Sequence, residues 1–362
     1  MSRPIRAIID LAALRHNFLI ARQHAGRARL WAVVKANAYG HGLERTVAAL
    51  EDLADGFALI ELERGIALCE WGLTKPLLLL EGCYAPEEAP LCVRHHLLPV
   101  VHRAAQLEWL LAADWPDDLP VYLKVNTGMN RLGFDAAGLA AARVALAQRH
   151  IPCVLMTHFA DADGARGIDW QLQRFGRITA GMHETTSLGN SATILRFPAS
   201  VGDWARPGIM LYGGSPFPAL KSAAELGLKP VMTLESEVIA VQRLSPGESI
   251  GYGCTFTAPR PMTVGVIACG YADGYPRHAP TGTPVLVAGQ RTRLLGRVSM
   301  DKLCVDLTDL KVGANDAAWL GSPVVLWGEG LPADEVAHAA GTVSYELFCG
   351  LAARVPVIVR GA

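Results

Sequence analysis

No stretch of this sequence approaches the roughly 20 consecutive apolar residues that a membrane-spanning helix needs, so a membrane-embedded protein is not expected. Charge excess is missing too, with 33 Lys+Arg against 34 Asp+Glu. Nucleic acids and anionic membranes are met by a basic field, so neither is expected as a partner. The opening segment, MSRPIRAIID, has no apolar core of a signal peptide, which points to a cytoplasmic protein. None of the eight cysteines forms a CxxC pair or a metal-ligand spacing. Scattered through apolar segments such as IALCE and VIACG, they read as reduced core residues, and no metal site is expected. The chain also lacks internal repeats and low-complexity linkers.

What it has is apolar material. Of 362 residues, 51% are hydrophobic, enough for a large core and for more than one domain. After a short strand at residues 5–10, Asp10 can cap a helix running to about His24. A rhythm follows. Apolar strand candidates (LWAVVKA, GFALIEL, PLLLLEG, LLPVV, PVYLKVN, PCVLMTHF, TTSLGNS, RPGIMLYG) alternate with segments such as LERTVAALEDLA and DAAGLAAARVALAQRH. The latter carry apolar residues at three- and four-residue spacing, the helical period. About eight strand–helix units predict a (β/α)8 TIM-type barrel of parallel strands. From Val231 onward short β-runs are separated by Pro and Gly turns, which predicts a β-rich C-terminal domain. The boundary falls at about residue 228, giving domains 1–228 and 229–362, with the first strand free to pair in the second domain.

Active sites of (β/α)8 barrels lie at the C-terminal ends of the strands. That rule collects Lys35 and Tyr39 after the first barrel strand, and Lys124 and Arg131 around the end of the fifth. It adds His158 after the sixth, Asn190 and Ser191 at the seventh, and Arg206, Gly208 and Ile209 at the eighth. Taken singly, each has a plain explanation as a solvated charge, a buried histidine, a cap or a turn. Their convergence on one rim is what independent structural roles would not require. Ser191 with the N–H groups of Gly208 and Ile209 can hold a phosphate, Tyr39 can donate to it, and Arg206 can face a ring nitrogen. A lysine such as Lys35 can form a Schiff base with an aldehyde, including pyridoxal phosphate. In the β-domain, GESIGYGCTF sets Tyr252 between two glycines, and CGYADGYPR and GRVSMDKLCVDL are rich in polar groups for β-structure.

The ordered set AVVKANAYGHG, LKVNTGMNRLGF, THFADAD, GNSA, RPGIMLYG, IGYG, GYADGY, GRVSMD and VSYE resembles the bacterial alanine racemase family. The resemblance runs over nearly the whole chain. It implies pyridoxal 5'-phosphate as cofactor and a homodimer with shared active sites. Lys35 would carry the cofactor, with Tyr39, Ser191, Gly208, Ile209 and Tyr345 at its phosphate. Asn190 would lie in the same cofactor set, His158 against the ring, and Arg206 at the pyridine nitrogen. Lys35 and Tyr252, the latter from the partner subunit, would be the two bases. Arg131 and the Met300 backbone would meet the substrate carboxylate, with Tyr271 and Asp301 on the substrate side. Lys124 corresponds to a lysine that is carbamylated in many members. The chain departs from the family pattern at Asp161 and Ser299, both beside site residues. The implied reaction is interconversion of L- and D-alanine, for peptidoglycan or for alanine catabolism. Three other readings compete. A racemase of serine or lysine would share nearly every residue named. A pyridoxal-phosphate carrier would not need the second domain and Tyr252. A decarboxylase on the same plan would pair the ring nitrogen with a carboxylate rather than Arg206.

Overall fold

The computed structural model describes residues 3–311 and 316–361. Its compact units are residues 15–38 with 42–211, and residues 1–14 with 39–41 and 212–362. The chain opens with strand β1 (Arg6–Asp10). The Asp10 carboxylate accepts the Ala13 N–H at 2.8 Å, capping the helix Leu11–Ala25.

The first unit is a closed barrel of parallel strands. These are β2 (Arg29–Val33), β3 (Gly56–Leu59), β4 (Leu77–Leu79), β5 (Leu97–Val101), β6 (Val121–Lys124), β7 (Cys153–Met156), β8 (Thr186–Asn190) and β9 (Trp204–Arg206). β2 pairs with β9 to close it. Helices connect the strands, each with an apolar face inward. In Leu43–Leu50 the buried residues are Leu43, Thr46, Val47 and Leu50, the three- and four-residue spacing that burial of one face demands. Asp135 caps Ala136–Gln148 through the Gly138 N–H. Aromatic rings pack together near the N-terminal ends of the strands: Trp31 stacks on Trp204 at 4.3 Å and meets Tyr122 edge-on at 6.0 Å. The eighth barrel strand is displaced from its sequence expectation. It occupies Trp204–Arg206 and stops before Pro207, which has no N–H to extend the ladder; Ile209–Tyr212 form a short 3₁₀ turn instead.

In the second unit the sheet order is β13-β16-β15-β14-β17-β10-β1-β18. Its strands are β10 (Met232–Leu244), β13 (Met262–Ile267), β14 (Pro284–Val287), β15 (Gln290–Leu295), β16 (Leu303–Asp306), β17 (Pro323–Trp327) and β18 (Val357–Arg360), with β11 (Ser249–Ile250) and β12 (Phe256–Thr257) forming a separate hairpin. β1 lies antiparallel to β10 and parallel to β18. No cysteine is in a disulfide, but the expectation of core cysteines fails at Cys254 and Cys349, which are exposed. Both sit in glycine-flanked turns or helix ends rather than in strands.

One buried carboxylate ties this unit together. Asp273, fully buried, takes a two-pronged contact from Arg3 at 2.7 and 2.8 Å and a third hydrogen bond from Arg354 Nε at 2.7 Å. Burial alone would raise its pKa. The contacts from Arg3, Arg354 and the Gly270 N–H outweigh that and hold it below the usual carboxylate value. A depressed folded-state pKa gives stability that is complete above the unfolded value of ~3.9 and is lost as pH falls through the folded value. Asp273→Asn is therefore expected to cost about 1–3 kcal/mol at neutral pH and to flatten the decline of the melting temperature below about pH 4. Thermal melts of both proteins from pH 7 to pH 3 check this, and parallel acid limbs would contradict it.

Candidate active site

The C-terminal ends of the barrel strands bring five expected side chains together. Lys35 lies two residues past β2, Lys124 ends β6, His158 lies two past β7, and Arg206 ends β9. With Arg131 they line a cavity of about 60 Å³ that also takes in Leu80, Glu81, Leu132 and Met156. The wall thus carries four cationic side chains, Lys35, Lys124, Arg131 and Arg206, against one carboxylate, Glu81. Such a surplus in a buried space is costly unless an anion enters it.

Arg206 is held rigidly. Its guanidinium donates to the carbonyls of Ser187 (2.8 Å), Thr157 (2.7 Å) and Leu188 (3.2 Å) and to Ser187 Oγ (2.7 Å). Burial pushes its pKa down to about 10, which leaves it a cation at neutral pH. It also donates to His158 Nδ1 at 3.4 Å. Burial first, and then the charges of Arg206, Lys124, Arg131 and Lys35, keep His158 well below the usual histidine pKa. The ring is therefore neutral, and with Nδ1 accepting, its proton sits on Nε2. Behind it, Gln171 Nε2 donates to the His158 carbonyl (3.2 Å) and to Thr127 Oγ1 (2.8 Å), which lies 2.7 Å from Thr157 Oγ1. The Lys124 amine is lowered to about 8, chiefly by burial and then by Arg206 and Arg131.

A second feature lies where β8 and β9 end. Ser191 Oγ accepts the N–H of Gly208 at 2.8 Å and of Met210 at 3.5 Å. Two backbone N–H groups thus point toward one hydroxyl oxygen, donors of the kind that can also face an anion. Asn190 acts locally. Its side-chain oxygen accepts from the N–H and hydroxyl of Thr193, both at 3.0 Å, capping the helix Ser191–Arg196.

The segment after Lys35 is unusual. Ala36, Asn37, Ala38 and Tyr39 all adopt left-handed backbone angles, with φ of 53°, 54°, 53° and 52°. Left-handed helical backbone costs roughly 1–2 kcal/mol per L-residue. Strain of this kind persists where the surroundings over-determine it. Here the Asn37 carbonyl accepts the Gly42 N–H (2.9 Å) and its side chain accepts the Leu43 N–H (2.9 Å). Gly40 has no substitute, since a Cβ there would meet the Phe348 carbonyl oxygen at 2.0 Å. Ala36 is exposed, so its strain can be released without repacking. Ala36→Gly is expected to stabilise the protein by about 1 kcal/mol, because glycine adopts this backbone freely. Unchanged or lowered stability in chemical denaturation would contradict it.

Tyr39 is buried, stacked on Tyr212 at 4.7 Å, with Tyr345 6.0 Å away. Burial, then Tyr345 and Cys349, raise its pKa, so its phenol remains a hydrogen-bond donor. In the β-domain, Tyr271 and Met300 lie in loops that meet: the N–H of Tyr271 donates to Ser299 O and that of Ala272 to Met300 O, both at 3.0 Å. Gly270 permits this approach, since a Cβ there would lie 2.3 Å from both the Ser299 and the Met300 carbonyl oxygens. The Asp301 carboxylate is engaged by Arg354 Nη2 at 2.6 Å. Tyr252 lies between β11 and β12 and is 69% exposed. The two departures noted in the sequence are quiet. Asp161 accepts the Arg166 N–H at 2.7 Å and closes its own loop, and Ser299 pairs through its backbone with Lys302.

Sequence reasoning missed Glu81, Ser187 and Gln171. Glu81 lies two residues past β4, in PLLLLEG, so the strand-end rule would have found it. Ser187, inside β8, and Gln171, on the helix Asp169–Ile178, carry no such signal.

A barrel with a lysine amine at its first strand end, a cationic cavity and a following β-domain defines an enzyme for anionic small molecules. The comparisons make this specific. Residues 9–216 match the model of the alanine racemase N-terminal domain, and residues 231–359 that of the alanine racemase C-terminal domain. The alanine racemase of Thiobacillus denitrificans is 56% identical over 357 residues, covering 98% of this chain and 95% of that one. The crystal structure of the biosynthetic alanine racemase from Pseudomonas aeruginosa is 47% identical with a TM-score of 0.94, covering 99% of each chain. The alanine racemase of Bartonella henselae, solved with covalently bound pyridoxal phosphate, is 27% identical with a TM-score of 0.87, covering 99% of each chain. The chain belongs to the alanine racemase family.

Proposed function

We propose that this enzyme interconverts L-alanine and D-alanine with pyridoxal 5'-phosphate as cofactor and with Lys35 and Tyr252 as its two bases. The observation that carries the reading is the barrel-end cavity with four cations and one carboxylate. A phosphate ester and an amino-acid carboxylate are the anions that would balance it. Bound through its aldehyde to an amino group, pyridoxal phosphate withdraws electrons from Cα and makes the proton there labile. Lys35 supplies the amine for the cofactor aldehyde. Ser191 with the N–H groups of Gly208 and Ile209 would hold the phosphate, together with Tyr39 and Tyr345. Arg206, a cation at neutral pH, would donate to the ring nitrogen and keep it from accepting a proton. His158, neutral and contacted by Arg206, would lie against the ring.

Racemisation removes a proton from one face of Cα and returns one to the other. Two bases on opposite faces avoid any need for one group to change sides. In the L-to-D direction Tyr252 takes the proton and Lys35 supplies one; the roles reverse in the other direction. Arg131 meets the substrate carboxylate by charge-assisted hydrogen bonds, with the Met300 backbone, Tyr271 and Asp301 completing the substrate side. Tyr252 and Met300, 69% and 53% exposed, are large groups that a second copy of the chain would cover. Together with the glycine-flanked loop, this supports a homodimer in which each Tyr252 serves the partner's site.

Lys124, with a pKa of about 8, has a sizeable neutral fraction near neutrality. A neutral amine can add CO2, forming an N–C bond and releasing one proton; the resulting carbamate would give Arg131 an anionic neighbour. Protein exchanged into 13C-bicarbonate is expected to show one carbamate carbonyl resonance that is absent from Lys124→Met. The functional reading itself is tested by supplying pyridoxal phosphate and, separately, L-alanine, L-serine or L-lysine, and following the D-enantiomer by chiral chromatography. Fast D-alanine formation with the other two poor is expected. Bound cofactor with no racemisation of any of the three would overturn the reading.

A further inference from the structure

A sizeable cavity lies away from the catalytic end of the barrel. About 790 Å³ opens at the opposite mouth, among the first residues of the strands: Arg29, Leu77, Cys153 and Trp204 all line it. The N-terminal mouth of a (β/α)8 barrel ordinarily serves stability and is packed, so an open volume of this size calls for an occupant. The volume falls within the ~300–1,000 Å³ of small-molecule sites.

Its lining has two characters. The inner wall is apolar: Trp204 and Leu98 keep a little exposed surface, and Trp31 and Tyr122 are buried behind them. The rim is basic: Arg29, Lys75 and Arg94 line it against a single carboxylate, Glu70, among the described residues. Arg29 lies over the Trp204 ring with its guanidinium carbon 4.7 Å from the ring centroid. That contact holds one cation at the junction of rim and wall. An apolar ring would contact the aromatic wall edge-on or offset, and an anionic group on it would meet the basic rim.

We infer that the N-terminal mouth of the barrel is a second ligand site, for a planar aromatic carboxylate. It is separate from the amino-acid site, because no residue of the catalytic-end cavity lines it. A ligand that binds only the folded chain raises its melting temperature, increasingly with the ratio of free ligand to its dissociation constant, which gives a readout independent of activity.

The test uses the purified full chain with 1-naphthoate as probe and 1-naphthalenemethanol as its uncharged counterpart, read by calorimetry and thermal shift. Naphthoate is expected to bind at one molecule per chain, more tightly than the alcohol, and with unchanged affinity in saturating alanine. The double variant Lys75→Glu/Arg94→Glu changes only the rim. It is expected to weaken naphthoate binding by about tenfold or more while leaving the alcohol's affinity and the racemisation rate unchanged. Equal binding of acid and alcohol, displacement by alanine, or indifference to the double variant would each overturn the proposal. Leu98→Trp, which fills the cavity from its wall, is expected to abolish binding of both probes; retained binding would place them elsewhere.

Discussion

Replacing Lys35 with alanine is expected to lower kcat/KM for racemisation by about 10⁴-fold or more, in both directions. The size follows from the two roles that fall to this one amine. In the proposed mechanism it tethers the cofactor aldehyde and serves as the proton donor and acceptor on one face of Cα. Loss of the tether alone would leave cofactor bound through its phosphate. The variant is therefore expected to retain pyridoxal phosphate weakly, and borohydride is expected to fix the cofactor to wild type but not to Lys35→Ala. The fold should survive, because Lys35 is only partly buried and follows rather than forms the barrel strand. A variant that racemises alanine at a tenth of the wild-type rate, or is labelled by borohydride at another lysine, would remove Lys35 from the account.

Replacing Tyr252 with phenylalanine is expected to lower racemisation by about 10²–10⁴-fold, the usual reach of one general acid–base group. Lys35 labelling should be intact. The hydroxyl is the sole group removed, and the side chain is exposed in the isolated chain, so stability should not move. The informative step is to mix the two dead variants. If each active site takes Lys35 from one subunit and Tyr252 from the other, a mixed dimer contains one site with both residues and one with neither. Random exchange between equal amounts makes half the dimers mixed, so about a quarter of wild-type activity is expected to return. Exchange demonstrated by tagged subunits, with no activity regained, would contradict a site shared in this way.

Much of this was legible in the sequence because a (β/α)8 barrel puts its chemistry at predictable places. Lys35, Lys124, His158 and Arg206 each stand at or just past the end of an apolar run, and the rule about strand ends gathers them without any contact being known. Glu81 obeys the same rule but was passed over, since a single acid after PLLLL reads as a solvated charge. Gln171 was beyond reach: it lies on a helix with no motif, and only tertiary packing brings its amide to the His158 carbonyl and Thr127. The left-handed turn after Lys35 was equally hidden, because Ala36, Ala38 and Tyr39 are not residues that prefer that backbone. Only Asn37 and the glycines hinted at it. The eighth strand was misplaced because its apolar character continues through Ile209–Tyr212, whereas Pro207 contributes only its carbonyl to the ladder, accepting the Val33 N–H at 3.0 Å, and the chain then turns. For Tyr252 the motif gave the position, whereas its exposure is a property of the folded chain.

The measurement that bears most directly on the two-base reading is racemisation of L-alanine in deuterated water, with the first D-alanine formed separated by chiral chromatography and weighed by mass spectrometry. If Tyr252 removes the proton and Lys35 supplies another from the opposite face, nearly all of that early D-alanine carries one deuterium at Cα. Early D-alanine that keeps the original proton would mean that a single group carries it from one face to the other.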